Sequence, residues 1–114
     1  DVASAPTSRT NLRLHAVTTQ SGTTYTAVLA DADSYIQFSN ASAITFTVPP
    51  NSSVAFPVGT YIEMEQTGAG ALSVAAGSGV TINSRSADLT LAGQYAVAFV
   101  KKTATNTWTM NGDL

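Results

Sequence analysis

The chain has 114 residues, enough for one hydrophobic core but not for two. Charged residues make up only 11% of it, against roughly 25% in an average globular domain, and Ser, Thr, Ala and Gly fill much of the difference. A net charge of -2 and a pI near 4.9 give no electrostatic basis for binding nucleic acid or an anionic membrane surface, and the lack of cysteine excludes disulfides, thiolate zinc sites and a cysteine nucleophile. A polar surface with so little charge suits a β protein outside the cell or in a particle.

Residues 1–22 (DVASAPTSRTNLRLHAVTTQSG) read as an N-terminal arm or connector. A candidate N-cap at Thr7 or Ser8 precedes Leu12 and Leu14, which predicts one short helical turn over residues 10–15. A single turn is too short to hold itself together, so it needs a partner surface, either a neighbouring domain or a symmetry-related chain. Asp1 is not an initiator Met, and an upstream segment or a processing site is expected before it. No basic-then-apolar signal pattern is visible, and no apolar run reaches the roughly 20 residues of a membrane-spanning helix.

From Thr23 to the end the chain reads as a β domain, residues 23–114, built from short strands. TTYTAVLA (23–30) is rich in β-formers and ends at an Asp-Ala-Asp-Ser turn; YIQFS (35–39) follows. In residues 43–48, Ile44, Phe46 and Val48 alternate with Thr45 and Thr47, and Pro49-Pro50 stops the strand because neither proline can donate to a ladder. TYIEMEQ (60–66) sets Ile62, Met64 and Gln66 against Tyr61, Glu63 and Glu65. Gly-containing turns then separate strands at 71–75 and 80–83, with a short one at Leu89 and Leu91. The last two, QYAVAFVKK (94–102) and TWTMN (107–111), are joined by a hairpin loop, and Trp108 and Met110 share one face. Turn signals every 8 to 12 residues or so predict an all-β fold, a compact antiparallel β-sandwich or jelly-roll-like barrel.

Reactive chemistry is scarce. His15 is the sole histidine and sits in the connector, where it reads as a surface or packing residue rather than part of a Ser-His-Asp relay. Glu63 and Glu65, like Asp31 and Asp33, lie two apart, and strand spacing puts such pairs about 6.5–7 Å apart along the strand, within reach of glycosidase geometry. Without a sugar platform or an apolar pocket to raise one pKa, the glutamates read as a solvated strand face and the aspartates as turn residues or a weak calcium signal. Gly68-Ala69-Gly70 and Gly77-Ser78-Gly79 lack the Lys-Ser/Thr of a phosphate-binding loop and read as strand turns. Lys101 and Lys102 read as a solvated edge, and Trp108 reads as core rather than as a sugar platform. Asn40-Ala41-Ser42 and Asn51-Ser52-Ser53 fit the glycosylation pattern, which matters only in a eukaryotic secretory setting. No catalytic, cofactor-binding or metal residue is assigned.

One set of motifs carries more specific information. It comprises Leu29-Ala30-Asp31-Ala32, Ser39-Asn40-Ala41-Ser42-Ala43, Thr47-Val48-Pro49-Pro50-Asn51-Ser52-Ser53-Val54-Ala55-Phe56-Pro57-Val58-Gly59-Thr60, Gln66-Thr67-Gly68-Ala69-Gly70 and Ala76-Gly77-Ser78-Gly79-Val80. Tyr25-Thr26, Thr81-Ile82-Asn83 following Val80, Leu91-Ala92-Gly93-Gln94-Tyr95-Ala96, Asn106-Thr107-Trp108 and the close Gly112-Asp113-Leu114 complete it. Over about four-fifths of the chain this pattern resembles a β domain of tailed-bacteriophage virion proteins, found at the ends of tail fibres and related appendages. Ser8-Arg9-Thr10-Asn11-Leu12 is similar to segments that precede such domains, although Arg13 stands where they usually carry Gly. The resemblance implies a virion structural protein, a homotrimer in contact with other virion proteins and with a host cell-surface receptor. It implies no enzymatic activity and no cofactor. A tail fibre, a head fibre and a capsid decoration protein all fit it, and a carbohydrate-active enzyme using the paired carboxylates is the alternative from another class.

Overall fold

Alternating burial organises most of the strands. The computed structural model describes residues 16–114, and the helical turn expected over residues 10–15 lies outside them, as does His15. Nine strands follow one another among the described residues: β1 (Ala16–Gln20), β2 (Thr24–Thr26), β3 (Ser34–Phe38), β4 (Ile44–Val48), β5 (Tyr61–Gln66), β6 (Leu72–Ala76), β7 (Thr81–Ser84), β8 (Val97–Ala104) and β9 (Thr107–Gly112). Short 3₁₀ turns occupy Leu29–Asp31 and Arg85–Ala87. The all-β expectation therefore holds. β1 falls within the expected connector, so the sheet begins before Thr23.

The first six strands alternate between two sheets. β1, β3 and β5 lie side by side in a six-stranded sheet of order β1-β3-β5-β8-β9-β7, and β2, β4 and β6 form a three-stranded sheet. Each odd-even pair makes one coil, and the three coils stack in parallel register, with Tyr35 opposite Glu63 and Phe46 opposite Val74. β8 closes the large sheet antiparallel to β5 and β9, and β7 returns parallel to β9. Five of the seven ladders are parallel, which corrects the expected antiparallel pairing.

The physical reason lies in the inward faces. Ser34, Ile36 and Phe38 of β3 are buried, and so are Ile44, Phe46 and Val48 of β4. The five-residue connection between them carries the chain from one sheet to the other, so the two apolar faces share one core instead of pairing edge to edge. Phe46 joins the layers, its ring centroid 5.3 Å from Phe38 and 6.0 Å from Tyr25.

The connections also stack. Ser39 N–H donates to Gln20 O at 2.9 Å, Thr67 N–H to Phe38 O at 2.8 Å and Gly70 N–H to Asn40 O at 2.8 Å, while Asn40 Nδ2 donates to Ser21 O at 2.8 Å. Buried Gln66 braces the third connection, accepting from Leu72 N–H at 3.1 Å and donating to Gly68 O at 3.2 Å. Backbone passes so close to backbone here that a Cβ on Gly70 would lie 1.9 Å from Ser42 O. On the far side of the small sheet, Leu89 and Leu91 do not form the expected strand. Thr90 makes an isolated antiparallel bridge to Ser73 instead, flanked by hydrogen bonds from Val74 N–H to Leu89 O and from Leu91 N–H to Leu72 O.

Candidate functional site

The Val48-Pro49-Pro50-Asn51 segment leads into a loop held down by a buried lysine. Lys102 is 2% exposed at the end of β8, where Ala96, Ala98 and Val100 precede it on the inward face. Its Nζ donates to Asn51 Oδ1 at 2.7 Å and to Phe56 O at 2.7 Å. Asn51 N–H in turn donates to Asn106 Oδ1 at 2.9 Å, which ties the same loop to the β8–β9 hairpin. The expected solvated Lys101–Lys102 edge is therefore corrected: strand alternation sends Lys101 to solvent and Lys102 into the core. Burial lowers the pKa of Lys102, and among the described residues no carboxylate pairs with it.

Replacing Lys102 by Met would keep the apolar stem but leave Asn51 Oδ1 and Phe56 O without this donor. Relief from burying a charge offsets part of that loss, for a net cost of about 2 kcal/mol in urea unfolding. Amide exchange should rise at Ser53 and Val54, whose N–H groups both donate to Pro50 O across the loop, at 2.9 and 3.1 Å.

The carboxylates considered for chemistry are held in structural contacts. Asp31 is buried, and its Oδ2 accepts from Tyr25 Oη at 2.7 Å and from Val28 N–H at 2.9 Å, closing a turn as its sequence position suggests. Asp33 has a positive φ of 58°, and its Oδ1 accepts from Tyr61 N–H at 3.2 Å. Glu63 and Glu65 lie on the outer face of the large sheet, opposite the buried Ile62, Met64 and Gln66. Glu65 Oε1 accepts from Tyr35 Oη and from Gln37 Nε2, each at 3.0 Å, and Tyr61 stacks at 4.8 Å on Phe99, which pairs opposite Glu63. Trp108 is core, 1% exposed and edge-on to Phe56. Among the described residues no group of three or more His, Asp or Glu side chains is placed to hold a metal ion.

Two phenols report on these contacts. Burial pushes Tyr25 up to about 12, helped by its hydrogen bond to Asp31, and pushes Tyr35 up to about 12, helped by Glu65. Unfolding returns both to the ordinary value near 10, so the stability they contribute is complete below pH 10 and is lost as pH rises from 10 to 12. Burial, helped by Glu63, also raises the pKa of Tyr61, so ultraviolet titration of tyrosinate should show three late-ionising phenols, and Asp31→Asn and Glu65→Gln should bring Tyr25 and Tyr35, respectively, closer to the ordinary value.

The structure also forms a groove that sequence patterning does not reveal. Arg85, Ser86, Asp88, Asn111, Gly112 and Leu114 line a cavity of about 310 Å³ where β7 and β9 end. Ser86 and Ala87 are consecutive non-glycine residues in the left-handed region, with φ of 59° and 56°. Such a conformation costs roughly 1–2 kcal/mol per residue and is tolerated where surrounding contacts enforce it.

No protein-family model, curated protein or solved structure matches the chain. The functional reading rests on the geometry above and on the motif resemblance.

Proposed function

We propose that this chain is a structural β domain of a bacteriophage virion, working as a trimeric fibre-type module that contributes to host attachment. The observation that carries the reading is the stack of three parallel coils whose first coil has no strand beyond it among the described residues. β1 and β2 are both edge strands, and β1 is exposed along nearly its whole length, Val17 at 63%. An edge that no described strand pairs invites a further strand or a neighbouring chain, because edge backbone donors and acceptors seek partners. Stacked coils suit a rod-like appendage, where each layer needs only its neighbours. The two sheets are read as the layers of a sandwich wound into coils rather than as a jelly roll. The Val48-Pro49-Pro50-Asn51 motif, central to the resemblance, has a clear scaffold role as the loop clamped by Lys102. The module takes no catalytic residue, metal or cofactor, and its partners are two further copies, other virion proteins and a cell-surface receptor.

Immunogold labelling of phage particles with antibody against this chain tests the assignment. Gold at fibre tips is the expected result, and particles that carry no label would overturn it. The exposed β1 edge also fits a second reading, a head fibre or decoration protein whose edge is completed by a shell subunit, and gold spread over the capsid would select it.

A further inference from the structure

We propose that the groove at the ends of β7 and β9 binds one unit of an acidic saccharide, a sugar ring bearing a carboxylate. The inference stands on the groove of a single chain and does not depend on the virion reading. Its cavity of about 310 Å³ is at the small end of ligand pockets, a size for a sugar ring rather than a nucleotide cofactor.

Complementary groups line it. Among the described residues the Arg85 guanidinium has no hydrogen-bond or ion-pair partner, and its planar fork matches a carboxylate. Asp88 uses Oδ1 to accept from Thr90 N–H at 3.0 Å, which leaves its other oxygen to accept from sugar hydroxyls. Asn111 Oδ1 accepts from Gly112 N–H at 2.7 Å, so its amide NH₂ remains available as a donor. Leu114, whose side chain packs against the core, closes one wall of the groove.

The combination also discriminates. A small inorganic anion such as phosphate offers Asp88 fewer donors than a sugar and concentrates its negative charge beside that carboxylate, while a neutral sugar leaves Arg85 unmatched. The positive-φ pair Ser86–Ala87 lies between Arg85 and Asp88 in the chain and turns it so that both line one groove.

Nuclear magnetic resonance titration of the full chain with glucuronate, glucose and inorganic phosphate tests the assignment. Glucuronate should shift the amides of Arg85, Ser86, Asp88 and Asn111 and saturate near about 1 mM, with glucose and phosphate each about tenfold weaker or more. Arg85→Gln should weaken glucuronate binding about tenfold and remove its preference over glucose, and Asp88→Asn should narrow its preference over phosphate. Both substitutions are at exposed positions, and unchanged signals from the core would show that the fold is intact. Absence of glucuronate saturation, equal affinity for phosphate or glucose, or an unaffected Arg85→Gln variant would overturn the proposal. None of these results bears on where the chain sits in a particle, which the gold labelling decides separately.

Discussion

Gly70→Ala is expected to destabilise the domain by about 3 kcal/mol or more. The new Cβ would lie 1.9 Å from Ser42 O and 2.7 Å from Asn40 O, both backbone atoms that no rotamer change can move. Relief requires the second and third connections to separate, which breaks the Gly70 N–H to Asn40 O bond and disturbs the bracing by Gln66. For a domain of this size the loss corresponds to a fall in Tm of roughly 15 °C, measurable by circular dichroism. Gly93→Ala is the control. Nothing lies within 4 Å of its Cβ position, so the substitution should change stability by no more than about 0.5 kcal/mol.

Phe46→Ala should cost about 4 kcal/mol, since truncating a buried aromatic removes its transfer energy and leaves a cavity. Phe46 is 0% exposed and contacts aromatic rings from both sheets, so the cavity opens at the junction of the two layers. Loss of the stacked Tyr25 contact should also loosen the turn that Tyr25 holds through Asp31. Phe99→Ala is the comparison: that ring is only half-buried on the outer face, and its loss should cost about 1 kcal/mol. Chemical denaturation of the two variants side by side checks the ranking.

Much of the β content is legible in the sequence because period-two patterning survives wherever one strand face is buried. Ile44, Phe46 and Val48, and likewise Ile62, Met64 and Gln66, are inward as their alternation suggests. Topology is harder to read. The connections at Asn40 and at Gly68–Gly70 have the length and composition of hairpin turns, and local chemistry does not distinguish a turn that pairs two strands from one that passes the chain to another sheet. Gly68 and Gly70 hold the missing clue, for they are placed where two connections touch rather than where φ is positive. Lys102 was legible in principle: it continues the inward parity of Ala96, Ala98 and Val100, and its charge masks that pattern. The groove at Arg85 and Asp88 was not, because Asn111 and Leu114 join it only through the β7–β9 pairing.

Light scattering coupled to size exclusion, on the chain at micromolar concentration, should return three times the 11.7 kDa of one copy, as expected for a module whose first coil, unpaired among the described residues, is covered by neighbouring copies. A stable monomer under those conditions would contradict the trimeric fibre reading.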